Sequence, residues 1–193
     1  YMKANNTVAD FYNAMDAIAP FNIVGDWDNV GVLVGAPSDS VSKVLLALDA
    51  TYEVIKEAIE LEADLIITHH PLIFDPLSSL SSQSLVYKLA KHGIALLAAH
   101  TNLDMTQGGV NDQLAKCLGV ENSAVISPSE VFPAQYGYAS MGELSAPMPA
   151  REFVKHVKAV LDAPGVMFST TEREVKKVAY CGGSGGKFLP DAI

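Results

Sequence analysis

The chain has few cysteines and no long apolar run. Its 193 residues include two cysteines, Cys117 and Cys181, and no Cys-x-x-Cys pair, which excludes a disulfide scaffold and is typical of reduced thiols inside the cell. No apolar run approaches the roughly 18 residues that span a bilayer. The N-terminus also lacks a basic segment followed by an apolar one. We therefore expect a soluble, cytoplasmic protein with no membrane partner.

Positive charge is also scarce. The sequence has 13 Lys+Arg against 22 Asp+Glu, a net charge of −9 at pH 7 and a pI near 4.9. Nucleic acids and anionic membranes bind positive surfaces, so neither is expected as a partner. Charged residues make up only 18% and hydrophobic residues 49%, which excludes a disordered chain. The low charged fraction favours a surface that is partly buried in a homo-oligomer.

Apolar strands alternate with amphipathic helices through the first 120 residues. Val44 to Leu48 is a continuous apolar run, which predicts a strand buried on both faces, and further strands are predicted at 65–68 and 94–99. Segments with helical spacing of apolar residues lie between and around these runs. This alternation is typical of a parallel sheet with right-handed crossovers.

The composition of the sequence changes near residue 120. Ser, Pro and Gly are dense up to Pro149, with a strand predicted at 136–144, and a helix near 153–161 and a strand at 175–180 follow. We therefore predict an α/β fold with a first lobe over residues 1–120 and the start of a second lobe over residues 121–193.

Three of the five histidines follow the predicted parallel strands. His69 and His70 come directly after the second strand, and His100 follows the third, with Asp104 four residues later. The carboxyl ends of parallel strands lie along one edge of a sheet, where ligands bind, so we expect these side chains to gather there. Imidazole and carboxylate together are ligands of zinc, iron and manganese alike. The pattern predicts a divalent-metal site without identifying the metal.

The neighbours of these histidines suggest how the site is arranged. Adjacent side chains on extended backbone point to opposite sides, and Pro71 favours that geometry for His70. Two diverging imidazoles suit two metals about 3.5–4 Å apart that activate water. We expect a loop after His100 to turn Asp104 inward. Asp49, after the first strand, is interpreted as the cap of the following helix in preference to a ligand.

Counting ligands leaves two interpretations open. Two catalytic metals take about three protein ligands each, some of them shared. His69, His70, His100 and Asp104 supply four, and no catalytic side chain is identified beyond them. Either the site holds one metal, or further ligands lie outside this chain.

A glycine run, Gly182-Gly183-Ser184-Gly185-Gly186, follows the last predicted strand. Backbone N–H groups of such a run can bind an anion, but the Lys-Ser/Thr pair of a phosphate-binding P-loop is absent. The role of the run stays open between an anion cradle and a flexible turn.

Several long motifs resemble those of the Nif-three-like family, whose members are named GTP cyclohydrolase 1 type 2 homologs. They are Trp-Asp-Asn-Val-Gly-Val-Leu-Val-Gly at 27–35, Thr-His-His-Pro-Leu-Ile-Phe at 68–74, His-Thr-Asn-Leu-Asp at 100–104, Gly-Gly-Val-Asn-Asp at 108–112 and the glycine run. The resemblance runs from near residue 7 to the end of the chain. It implies an α/β fold in two similar lobes and a ring-shaped homohexamer.

The resemblance also implies a function. It assigns His69, His70, His100 and Asp104 as ligands of a dinuclear metal site. It further implies a metal-dependent hydrolase in which activated water attacks a nucleotide-type substrate such as GTP. Two other functions stay open: a non-enzymatic, metal-binding oligomeric scaffold that acts through protein partners, and a metallo-phosphoesterase of unknown substrate.

The chain departs from the family's pattern near its end. The family's remaining ligands, a His and a Glu in a Gly-His-x-x-x-Glu motif, lie beyond the glycine run, and no such motif occurs before Ile193. We therefore expect these residues to be about the N-terminal three quarters of a protein, with the second lobe and the metal site both incomplete.

Overall fold

The computed structural model describes residues 6–126, 128, 133–169 and 172–193. The chain divides into two compact units, Tyr1–Leu103 and Asp104–Ile193. The boundary therefore lies at Leu103 and Asp104 instead of near residue 120, and the packing of the helix at 110–118, described below, gives the reason. None of the helices in the described part is long and apolar enough to cross a membrane.

A four-stranded sheet is the centre of the first unit. Its elements in chain order are β1 (Asn6–Thr7), α1 (Val8–Ile18), β2 (Gly31–Val34), β3 (Ser40–Val41), β4 (Val44–Ala47), α2 (Tyr52–Glu60), β5 (Leu65–Thr68), α3 (Leu85–His92) and β6 (Ala95–Ala98). The strand order is β2-β6-β5-β4, and β1 pairs separately with β3. β4, β5 and β6 are parallel neighbours, while β2 runs antiparallel to β6. The predicted α/β fold with a parallel sheet is confirmed.

Side-chain caps start the helices that cross between the parallel strands. The Thr51 hydroxyl accepts the backbone N–H of Val54 at the start of α2, and the Ser84 hydroxyl accepts that of Tyr87 at the start of α3. α3 ends at Gly93, which has a left-handed φ of 66°, the conformation that glycine adopts at least cost. These short, well-capped helices return the chain so that β5 and β6 end at the same edge of the sheet.

The strand β4 lies at the edge of the sheet, so the prediction that Val44 to Leu48 is buried on both faces is wrong. Leu46 is 73% exposed and Leu48 is 61% exposed. The neighbouring strands β5 and β6 are the buried ones, with Leu65, Ile66 and Leu97 fully enclosed. A short apolar run has the same sequence pattern at the centre of a sheet and at its edge, which is why the sequence did not separate them.

The second unit contains a three-stranded antiparallel sheet. Its elements are the last two residues of α4 (Thr101–Met105), α5 (Val110–Leu118), β7 (Val120–Val125), β8 (Ser140–Pro149), α6 (Ala150–Val160) and β9 (Glu174–Tyr180), with strand order β7-β8-β9. Ala115 and Leu118 of α5 pack in one core with Val120, Leu144 and Val178. Because α5 buries its apolar face there, it belongs to the second unit.

The strands of the second unit were harder to predict. The strand β7 was not predicted, because most of its side chains, including Glu121, Asn122 and Ser123, are exposed and show no apolar alternation. The strand β8 begins at Ser140 and ends at Pro149, whereas the sequence predicted 136–144.

Candidate metal centre

The carboxyl ends of β5 and β6 bring three imidazoles together. Thr68 and Ala98 are paired at the ends of these adjacent parallel strands, so His69 and His70 follow one strand and His100 the other. One potential ligand atom of each ring lies within 4.8 Å of those of the other two. Among the described residues, these three histidines form a group whose ligand atoms are close enough together to hold one metal ion. The predicted gathering of the three histidines at one sheet edge is confirmed.

The rings of His69 and His70 lie on the same side of the chain. Their centroids are 4.8 Å apart, and those of His100 lie 5.4 Å from His69 and 5.7 Å from His70. The prediction that the two adjacent rings point to opposite sides is therefore wrong, because the chain does not continue as an extended strand after Thr68. The inference of two metals from diverging rings loses that support.

Each imidazole is fixed through its Nδ1 atom. Nδ1 of His69 lies 3.0 Å from the carbonyl oxygen of Ala99, Nδ1 of His70 lies 2.7 Å from Oδ1 of Asp49, and Nδ1 of His100 lies 2.8 Å from Oδ1 of Asp28. The three partners are all hydrogen-bond acceptors, so Nδ1 carries the proton in each ring. In the neutral rings the lone pair is then on Nε2, and such acceptors orient metal-binding histidines. The donor set fits a divalent metal ion.

Asp28 is the most enclosed of these acceptors. Its side chain is fully buried, and its second oxygen accepts hydrogen bonds from the hydroxyl and the backbone N–H of Thr101. Burial raises the pKa of the Asp28 carboxyl, but the hydrogen bonds from His100 and Thr101 outweigh it, so the pKa lies below its usual value. Asp28 is therefore an ionised anchor for the His100 ring.

Asp49 also supports a histidine and does not cap a helix. Thr51 is the N-cap of α2, so the interpretation of Asp49 as that cap is wrong. Its carboxylate instead meets His70, and both side chains are about half exposed, at 50% and 46%. Water competes with this contact, which makes it a weaker anchor than the buried pair of Asp28 and His100.

The segment after His100 is helical, where the sequence predicted a loop. It forms α4, and the Asn102 side chain, which is fully buried, donates from Nδ2 to the carbonyl oxygen of Ala19 at 2.7 Å. Asp104 begins the second unit, where its Oδ1 would lie 3.4 Å from a Cβ placed on Gly182. The assignment of Asp104 as a metal ligand stays a prediction.

The glycine run is tied to α5 in the second unit. The backbone N–H of Gly182 donates to Oδ1 of Asn111 at 2.8 Å, so this N–H is already engaged. Cys181, just before the run, has its thiol pKa raised by burial and by the charge of Asp104, against a smaller opposite effect of Lys187. These contacts favour the interpretation of the run as a structured turn over that of an open anion cradle.

Reasoning from the sequence did not predict that Asp28 and Asp49 anchor the histidines of the site. Asp28 lies 72 positions from His100, and no spacing rule relates the two. Asp49 follows a strand end as His69 and His100 do, and that shared position was the one available signal.

The fold and the site define an α/β protein with a histidine-rich candidate metal site at the carboxyl edge of its parallel strands. The profile of the family Duf34/NIF3 (NGG1p interacting factor 3) matches residues 6–193, and the chain belongs to this family. The resemblance seen in the motifs is thereby confirmed.

Relatives and solved structures agree with this assignment. A "GTP cyclohydrolase 1 type 2 homolog" of Clostridium perfringens is 39% identical, over 99% of this chain and 73% of the relative, and one of Lactococcus lactis is 35% identical, over 96% and 73%. A Staphylococcus aureus hypothetical protein has a similar structure, with a TM-score of 0.87 at 33% identity over 97% of this chain and 75% of that one. Reduced HcgD from Methanocaldococcus jannaschii has a TM-score of 0.79 at 28% identity, over 94% and 71%.

Proposed function

We propose that the chain carries the metal site of a hydrolase that acts on a nucleotide-type substrate. The observation that carries this proposal is the set of three imidazoles, each anchored at Nδ1 with its Nε2 lone pair set for a metal. The names of the relatives, GTP cyclohydrolase 1 type 2 homologs, support a nucleotide as the substrate class.

His69, His70 and His100 would hold the metal, with Asp104 as the fourth ligand that the family resemblance implies. Divalent ions such as zinc, iron or manganese would supply a Lewis acid that polarises the substrate and activates water. The separation of at most 4.8 Å between the ligand atoms is compatible with one ion or with two ions about 3.5–4 Å apart. We propose two, because the family resemblance implies a dinuclear site.

The chain's own contribution is to position and charge the site. Asp28 and Asp49 keep Nδ1 of His100 and His70 protonated and their rings oriented, and their negative charge makes Nε2 a better donor to a cation. The Ala99 carbonyl does the same for His69 without a charge. These fixed orientations reduce the reorganisation needed when a metal binds.

A second candidate function is a metal-binding oligomeric scaffold. The observation in its favour is the exposure of Leu46 on the outer strand β4 and of Leu48 directly after it, since exposed apolar strands at sheet edges pair with other chains. A homohexamer, as the family resemblance implies, would give this edge a partner.

Cys117 and Cys181 form no disulfide, which supports the proposed cytoplasmic location.

Turnover by the metal-loaded protein distinguishes these functions. The chain is reconstituted with Zn²⁺ or Mn²⁺ and assayed with GTP, GMP and p-nitrophenyl phosphate, together with His100→Ala and the control His92→Ala. We expect metal-dependent turnover of a nucleotide that falls at least about 100-fold in His100→Ala and is unchanged in His92→Ala. Metal-loaded protein that turns over none of these compounds would contradict the hydrolase and favour the scaffold. Turnover confined to p-nitrophenyl phosphate would favour a metallo-phosphoesterase.

A further inference from the structure

Two exposed aromatic rings stand against the candidate metal site. Trp27 and Phe74 are 48% and 47% exposed, and their ring centroids lie 6.0 Å apart with an angle of 36° between the planes. Both contact the same imidazole edge-on: Trp27 lies 6.5 Å from the His100 ring at 89°, and Phe74 lies 6.4 Å from it at 78°. We call this pair the aromatic rim.

The rim is held in place by anchored neighbours. Asn29, two residues after Trp27, donates from Nδ2 to the carbonyl oxygen of Ile73 at 2.7 Å, which ties the two rim segments together. Asp28, next to Trp27, is fixed by His100 and Thr101. The rings are therefore positioned before any ligand arrives, and little ordering entropy is lost on binding.

The rim is poorly explained as part of the core. Neither Trp27 nor Phe74 is among the described members of the core clusters of the first unit, and about half of each side chain faces solvent. Contiguous exposed aromatic surface beside a polar site is typical of ligand binding. Aromatic faces bind planar rings by stacking, whichever ring is offered.

The charges near the rim point to recognition through the ring of a ligand. Residues 21–40 and 61–80, which contain both rim segments, include no Lys or Arg. Exposed Asp26 and Asp75 are the chain neighbours of the two rim residues. A phosphate would thus find no cation in these segments, whereas a heteroaromatic ring with N–H donors is compatible with them.

We propose that Trp27 and Phe74 bind the planar heteroaromatic ring of the substrate and select ring-bearing compounds over simple phosphoesters. This proposal rests on the proposed function, since the ring would be held beside the imidazoles that bind the metal. Trp27 and Phe74 are specificity-determining residues in this account, and the metal affinity does not depend on them.

Trp27 is the single tryptophan of the chain, so its fluorescence reports on the rim directly. The chain is titrated with guanosine, GMP and ribose 5-phosphate, each with Zn²⁺ and with EDTA. We expect saturable quenching by guanosine and GMP and none by ribose 5-phosphate. Phe74→Leu should weaken GMP binding about 5- to 100-fold, the range for one stacked base, while Phe74→Tyr retains it.

Two controls separate this proposal from the proposed function. Phe168→Leu makes the same change at another exposed phenylalanine, 52% exposed, and should leave binding unchanged. Zn²⁺ affinity, measured by calorimetry, should stay within about twofold in Phe74→Leu. Quenching by guanosine in protein that binds no Zn²⁺ would support the rim and contradict the hydrolase. A different result would overturn the rim proposal and leave the metal site standing. In that case the protein binds Zn²⁺, binds GMP and ribose 5-phosphate with equal affinity, and keeps both affinities in Phe74→Leu.

Discussion

Oδ1 of Asp28 lies 2.8 Å from Nδ1 of His100, across 72 positions of the chain. The carboxylate is fully buried, while 19% of the His100 side chain remains accessible. The Nδ1 side of the imidazole is thus fixed from inside the fold, and the Nε2 side can meet a ligand. This arrangement is what distinguishes His100 from a histidine that merely satisfies its hydrogen bonds in a core.

Asp28→Asn should weaken binding of divalent metal. The amide keeps the shape of the side chain but removes the negative charge behind His100, and loss of such a partner costs about 10- to 100-fold in metal affinity. Isothermal titration with Zn²⁺ measures the change. Asp26→Asn, the same change at an exposed carboxylate two residues earlier, should bind Zn²⁺ as the wild type does. Equal affinities in both variants would contradict the anchoring role of Asp28.

Asp49→Asn should have a smaller effect than Asp28→Asn. The contact of Asp49 with His70 is about as short, at 2.7 Å, but both side chains are about half exposed, and solvent screens their interaction. We expect a loss of Zn²⁺ affinity of about threefold, in the same titration and buffer. A loss in Asp49→Asn that exceeds that in Asp28→Asn would show that burial does not rank these two anchors.

Asp64→Asn should lower stability at neutral pH and much less in acid. The Asp64 carboxylate accepts from the backbone N–H and hydroxyl of Ser42 and from the backbone N–H of Lys43, at 2.7–2.9 Å. The backbone hydrogen bond from Ser42 is the largest cause that holds the pKa of Asp64 below its usual value near 3.8. Because the pKa is lower in the folded state, the contribution is complete well above pH 3.8 and is lost as the pH falls through the folded-state value.

Urea unfolding at pH 7 and at pH 3 tests this sign. We expect Asp64→Asn to lower the free energy of unfolding by on the order of 1 kcal/mol at pH 7, with a smaller difference from wild type at pH 3. Asp75→Asn, at an exposed carboxylate, serves as the control and should change little at either pH. A difference for Asp64→Asn that grows in acid would refute the assignment.

Gly142→Ala should destabilise the second unit. A Cβ at Gly142 would lie 2.5 Å from the carbonyl oxygen of Glu121 and 2.8 Å from Oγ of Ser123, where the pairing of β7 with β8 is irregular. We expect a loss of at least about 2 kcal/mol in the free energy of unfolding, measured by urea denaturation. Gly165→Ala meets no atom within 4 Å and should change stability by less than about 0.5 kcal/mol.

The part of the site that the sequence predicted is the part governed by a general rule of topology. His69, His70 and His100 follow strands that are parallel neighbours, and such strands end at one edge whatever the details of the loops. The capped helix α2 was predictable for a similar reason, since Thr51 satisfies a local rule.

The missed features depend on contacts between distant segments. Whether the apolar run at 44–48 lies at the centre or the edge of the sheet depends on what pairs beyond it, and Leu46 is exposed because β4 has a described partner on one side only. Asp28 reaches His100 through the tertiary fold. The bend after Thr68, which turns both imidazoles to one side, depends on contacts such as those of His69 with Ala99 and His70 with Asp49.

Calorimetric titration of Zn²⁺ into wild type, His100→Ala and His92→Ala tests the central claim that the three imidazoles bind a divalent metal. His92 lies in the last turn of α3, outside the cluster, and is the matched control. The account predicts saturable binding by wild type and His92→Ala, and affinity at least about tenfold lower in His100→Ala. Equal Zn²⁺ affinity in all three proteins, or no binding by wild type, would contradict it.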